Sequence, residues 1–107
     1  MANISAIEAL SDPTRRKLFE QLRGGPCSVS RLVAAVTVSQ PAVSQHLRVL
    51  SEARLVSMYK QGTRRIYSLN PEGLAELRAY VDSLWEDALG AFKKAADEAA
   101  QEEVEHE

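Results

Sequence analysis

Reactive side chains are scarce in this chain. One cysteine, Cys27, excludes an internal disulfide and leaves no second thiol for a dithiol switch. Only two histidines are present. His46 has no cysteine, histidine or acid at ligand spacing on its helical pattern, and His106 lies in an acidic tail, so no metal and no cofactor are expected. There is no Gly-rich phosphate loop, no His-Glu-x-x-His and no nucleophile paired with a base, which excludes the common enzyme constellations. Cys27 reads as a small apolar filler before a helix. Charges interrupt every apolar stretch, so no run reaches membrane-spanning length and no membrane partner is expected. Met1-Ala2-Asn3-Ile4 lacks the basic-then-apolar pattern of a signal peptide. A reducing cytoplasm is the expected compartment.

What is present points to a folded domain. At 107 residues with 45% of them apolar, the chain is expected to fold as one domain over 1–100, followed by a frayed acidic tail over 101–107. A core this small gains from dimerisation. The net charge of −2 does not suggest a polyanion partner, but its distribution does. Arg48, Arg54, Lys60, Arg64 and Arg65 are opposed only by Glu52. The acids gather from Asp82 to Glu107. A ligand meets one face, and the rest of the field is screened within about 10 Å.

Local signals divide the chain into helices and one hairpin. Ile4, Ile7 and Leu10 have helical spacing. Asp12-Pro13 reads as an N-cap with Pro at the first helical position. Leu18, Phe19 and Leu22 follow on one face, and Gly24-Gly25-Pro26 ends that helix. Ser28 and Ser39 cap two further helices, with a short turn around Val36-Thr37-Val38. Leu55 to Leu69 alternates as a hairpin around Gln61-Gly62-Thr63. Asn70-Pro71 opens a long last helix. Its apolar residues Leu74, Leu77, Val81, Leu84, Ala88, Phe92 and Ala95 step by three and four, as a seam between helices does.

The helix after Ser39 carries the chemistry. At 100° per residue, Ala42, Val43, Leu47, Val49 and Leu50 share one side, with His46 among them. Gln40, Ser44, Gln45, Arg48 and Ser51 share the other. Structural surface helices expose Glu and Lys there; amides, hydroxyls and a guanidinium match the edges of bases in the major groove. Lys60, Gln61, Thr63, Arg64 and Arg65 gather at the hairpin tip, where cations suit phosphates or a narrow minor groove. Charge that guards an edge strand is the alternative reading of the tip. The candidate DNA contacts are therefore Ser39, Gln40, Ser44, Gln45, Arg48, Lys60, Thr63, Arg64 and Arg65. Arg15, Arg16 and Lys17 are expected to serve structural ion pairs. His46 is expected to bond backbone or phosphate.

Leu10-Ser11-Asp12-Pro13-Thr14-Arg15-Arg16, Ser39-Gln40-Pro41-Ala42-Val43-Ser44-Gln45-His46-Leu47, Leu50-Ser51-Glu52-Ala53-Arg54-Leu55-Val56 and Arg64-Arg65-Ile66-Tyr67-Ser68-Leu69 occur in one unbroken order. Together they resemble the ArsR-type winged helix-turn-helix repressors, over roughly residues 4 to 95. The resemblance implies a mainly helical fold with a small hairpin wing, in the order α-α-α-α-β-β-α. It implies a homodimer through the first and last helices, with Ile4, Ile7, Leu77, Val81, Leu84, Trp85, Ala88 and Phe92 at the interface. It implies double-stranded DNA as partner, an operator of two half-sites, and repression by occluding a promoter. Metal-sensing relatives use Cys-Val-Cys early in the third helix, where this chain has Ser28 and Ser30, or acids and histidine on the last helix, where none of the residues from Pro71 to Gln101 is histidine. A repressor without metal sensing is expected, its effector unknown. A winged-helix scaffold for proteins, or a metal-responsive repressor with unrecognised ligands, are the alternatives.

Overall fold

Capping sets the helix starts. The computed structural model describes the backbone of residues 2–106 and the side chains of residues 5–104. α1 spans Ala2–Ala9 and α2 spans Pro13–Gln21. Asp12 is extended, and its carboxylate accepts from Thr14 N at 2.8 Å and Arg15 N at 3.0 Å. Two amides without helical partners are thereby satisfied. α3 spans Val29–Ala34, capped by the Ser28 hydroxyl, which accepts from Arg31 N. α4 spans Gln40–Glu52, capped by Ser39 Oγ accepting from Ala42 N at 3.3 Å. α5 runs from Pro71 to His106, with Glu72 N donating to Asn70 Oδ1 at 3.1 Å.

Three sequence expectations change. The apolar side of α1 was expected to be Ile4, Ile7 and Leu10. The helix stops at Ala9, Ala6 and Ala9 are buried, and Ile7 is exposed. The Ile4 side chain lies outside the described residues. The hairpin is part of a three-stranded sheet. β1 (Cys27–Ser28) pairs antiparallel with β3 (Arg64–Leu69), which pairs with β2 (Val56–Gln61), giving the order β1-β3-β2. Two residues after a proline leave no alternation to read, so β1 escapes a pattern search. Cys27 therefore sits half-buried in a strand, its thiol 3.7 Å from the carbonyl oxygens of Gln21 and Gly25. Finally, α5 continues through the acidic segment to His106, where fraying was expected, because Gln and Glu are good helix formers.

The core lies between α2, α3, α4 and the sheet. Leu18, Leu32, Val43, Leu47, Leu50 and Leu55 are sealed from solvent. Each such side chain contributes about 1.5–3 kcal/mol of burial. Leu74 and Leu77, on the first turns of α5, pack partly against this cluster. Gly62, with φ 64°, takes the first central position of the two-residue turn between Gln61 and Arg64.

The end of α4 is fastened to the start of α5. Leu55 N donates to Leu50 O at 3.0 Å, closing a Schellman turn with Arg54 in the left-handed position at φ 64°. The Arg54 guanidinium pairs with Glu76 and, at 3.5 Å, with Glu72. A Cβ on Gly73 would collide with the Arg54 carbonyl oxygen, so this approach requires glycine. Arg54 was counted among the cations of the basic face; its acid partners on α5 take it out of that set.

By packing, the chain forms two compact units, Met1–Leu77 and Arg78–Glu107. The first holds all the elements described above and the beginning of α5. The second is the rest of α5. In it Val81, Leu84, Trp85, Leu89 and Phe92 are exposed.

Candidate nucleic-acid interface

The exposed side of α4 is set by burial of the opposite side. Val43, Leu47 and Leu50 are fully buried, which leaves Gln40, Ser44, Gln45 and Arg48 in solvent. Gln40, Ser44 and Arg48 recur every fourth residue. They form a row about 12 Å long on one line of the helix. Ser51, assigned to that side by the wheel, is half-buried at the last turn. Arg48 Nε donates to Glu52 Oε1 at 3.2 Å, an exposed i,i+4 pair. Such pairs contribute about 0.3–0.5 kcal/mol, so the guanidinium is easily released to a stronger acceptor.

The sheet brings the wing to this helix. β1 lies beside β3, so the start of α3 sits at the base of the wing. The result is a cleft of about 520 Å³ lined by Ser28, Val29, Ser30, Gln40, Ser44, Thr63, Arg64 and Arg65. Five predicted residues meet there: Gln40, Ser44, Thr63, Arg64 and Arg65. Successive strand residues point to opposite faces, yet Arg64 and Arg65 both line the cleft. Gln45 and Arg48 lie outside its lining, exposed on α4, and Lys60 is exposed on β2. The Ser39 hydroxyl is engaged as a cap. Ser30 was missed by sequence reasoning. An exposed hydroxyl in the first turn of α3 is a weak signal until β1 places it beside the arginines.

The charge arrangement fits an anion. No acid lines the cleft, and Lys60 stands directly across the ladder from Arg65. Like charges facing each other across strands destabilise a sheet. That cost is offset when a polyanion sits over both. Lys60 is on the edge strand, where charge also discourages sheet pairing. Arg64 and Arg65 are on the central strand, where that reason is weaker.

Residues left out of the site also find their places. Arg15 was expected to form an ion pair. Among the described residues its guanidinium instead donates to the Ala9 carbonyl at 2.6 Å and to the Glu8 carbonyl at 3.5 Å. Its third partner is His46 Nδ1, at 3.5 Å. His46 therefore bonds a guanidinium rather than backbone. The two amide bonds from Arg15 and Thr14 hold the Asp12 carboxyl below its usual range, with His46 and the Arg15 charge assisting.

The chain resembles the HTH-type transcriptional regulator Rv2034 of Mycobacterium tuberculosis at 49% identity over 92 residues, 86% of each protein. Residues 12–58 match the family described as bacterial regulatory protein, arsR family.

The chain belongs to the arsR family.

A second relative, the transcriptional repressor SdpR of Bacillus subtilis, is 36% identical over 66 residues, covering 62% of this chain and 73% of that protein. The solution structure of a homodimeric winged helix-turn-helix DNA-binding domain from Mycobacterium bovis, a possible ArsR-family regulator, superposes with a TM-score of 0.65. It is 25% identical and covers 82% of each chain. This arsR-family chain is thus a transcriptional regulator with a DNA-binding winged helix-turn-helix fold, and not an enzyme. The resemblance also raised a metal on α3. The donors at that place do not fit one. Ser28 is buried and caps the helix, Ser30 offers a neutral hydroxyl, and Cys27 faces two carbonyl oxygens. Soft metals need soft anionic ligands, and one thiol beside hydroxyls does not make such a set.

Proposed function

We propose that the protein is a homodimeric, sequence-specific DNA-binding repressor that occludes its promoter and acts in the cytoplasm without metal sensing. Residues 1–100 work as one DNA-binding and dimerising unit. The cleft joining α4 to the wing carries this reading, because it gathers two arginines, hydroxyls and an amide with no acid among them. Gln40, Ser44, Gln45 and Arg48 enter the major groove and read base edges. Lys60, Thr63, Arg64 and Arg65 hold the phosphate backbone, with Ser39 at the helix start and Ser30 beside the wing. Ile4, Ile7, Leu77, Val81, Leu84, Trp85, Ala88 and Phe92, with Leu89 added by its exposure, form the dimer interface. Support comes from the homodimeric relative and from the relative named as a repressor.

Selection from a random duplex pool tests the reading. The expected product is a palindrome whose half-sites lie one helical turn apart, about 10–10.5 base pairs. Placed across a promoter, that sequence should let the protein block transcription, with binding that weakens steeply as salt rises. A pool that yields no enriched sequence overturns DNA reading and favours a protein-binding scaffold. Stoichiometric, submicromolar Zn²⁺ or Cd²⁺ binding that releases the duplex overturns metal independence.

A further inference from the structure

Three helices meet at one side chain that the interface does not use. Arg15 is half-buried in the first turn of α2. Its Nε donates to the carbonyl of Ala9, the last residue of α1, at 2.6 Å, and Nη2 donates to the Glu8 carbonyl at 3.5 Å. The Ala9 carbonyl, at the helix end, has no partner within the helix and takes the shorter bond; the Glu8 carbonyl also accepts from Ser11 N at 3.1 Å and Ser11 Oγ at 2.6 Å. The remaining terminal nitrogen, Nη1, lies 3.5 Å from His46 Nδ1 on α4. A guanidinium only donates, so this contact is a hydrogen bond in the tautomer that carries the ring proton on Nε2 and leaves Nδ1 to accept.

His46 is placed where a small rotation matters. Its neighbours in sequence are Gln45, exposed on the polar side, and Leu47, fully buried. Arg48 follows two residues later. A large turn of α4 about its axis would expose Val43, Leu47 and Leu50, so the core sets its orientation to within a small angle; a turn inside that angle still shifts Gln45 and Arg48 against the base edges. Within that angle, the Arg15–His46 contact ties the helix to the end of α1.

We infer that Arg15 is a positioning residue for base recognition, clamping His46 of α4 to the end of α1 so that Gln45 and Arg48 face the groove in one orientation. The inference rests on the DNA-binding reading above. It gives α1 a direct mechanical link to the recognition helix, so a displacement at the end of α1 reaches the base-reading face through one guanidinium.

The test uses the full chain with Arg15→Met, which keeps length and removes every donor, and Arg15→Lys, which keeps charge and part of the bonding. Affinity is measured for the duplex selected by the wild-type chain and for a scrambled duplex of equal length. Long-range ¹H–¹⁵N spectra report the His46 tautomer in the absence of DNA. For Arg15→Met, discrimination between the duplexes should fall about tenfold, while scrambled-duplex affinity stays within about twofold. The His46 ring should pass from one tautomer to a mixture. Arg15→Lys should lie between, and it carries the test if Arg15→Met does not fold. Equal losses on both duplexes with an unchanged ring spectrum would mean a structural role alone and overturn the inference. Discrimination retained by the variants in full would overturn it while leaving DNA binding intact. A wild-type chain that prefers no duplex would sink the DNA reading and this inference with it.

Discussion

The two packing units of this chain treat their apolar residues in opposite ways. In residues 1–77 the core leucines are sealed: Leu18, Leu47, Leu50 and Leu55 are 0% exposed. In residues 78–107 the large apolar side chains stand in solvent, Trp85 at 65% and Phe92 at 74%. Both segments contain helices with three-and-four apolar spacing, so periodicity in those helices does not separate them. What separates them is what lies opposite. The first unit holds its own partner surfaces in α2, α3, α4 and the sheet. The second is a single helix, and an apolar stripe on a lone helix is stabilised only by burial against another surface.

The sharpest way to break this contrast is to charge the stripe. Trp85→Glu together with Phe92→Glu should leave the winged body folded by circular dichroism and the chain single by sedimentation. Affinity for a palindromic site should fall about 10²–10⁴-fold, the advantage lost when two linked half-site contacts become separate. A dimer that survives both charges would remove the stripe from the interface.

A matched pair of truncations compares the units in one chemistry. Leu47→Ala should cost about 2–5 kcal/mol in denaturant unfolding, because it opens a cavity in a sealed core. Leu84→Ala should change the unfolding of dilute chain by about 0.5 kcal/mol or less and act instead on association. Equal costs for the two would erase the distinction between a self-sufficient body and a partner-seeking helix.

The smallest expected effect concerns the first unit's most defined cap. Asp12 titrates below its usual range because its carboxylate accepts from the amides of Arg15 and Thr14. A depressed folded pKa adds stability above the unfolded value, near pH 4, that is lost as pH falls through the folded value. Asn caps as well as Asp but does not titrate in this range. Asp12→Asn should therefore lose less thermal stability than the wild type between pH 5 and pH 2. An unchanged acid limb would mean the cap bonds do not stabilise the charged form.

Much of the first unit was legible because its signals are local. Asp12, Ser28, Ser39 and Asn70 each cap the element expected, and Gly62 turns the hairpin. Apolar spacing in α4 gave the exposed row of Gln40, Ser44 and Arg48 directly. What escaped depends on partners distant in sequence. β1 exists because Cys27 and Ser28 pair with Tyr67 and Ile66. Ser30 joins the cleft only through that pairing. Arg54 looked like a surface cation until Glu72 and Glu76 closed on it. Arg15 carries a charge, and its use is to satisfy carbonyls, which no pattern of charges reveals. Leu89 falls at the margin of the three-and-four stripe, and exposure rather than spacing brought it in.

The central claim is that α4 reads bases while the wing holds the backbone, and substitution in each part tests it against the other. Arg48→Ala should cost about 1–3 kcal/mol of discrimination at the base it contacts. It should leave binding to unrelated duplex nearly unchanged. Arg64→Ala with Arg65→Ala should weaken selected and unrelated duplexes alike and lower the salt slope by about two. An Arg48→Ala protein with undiminished sequence preference would contradict the account.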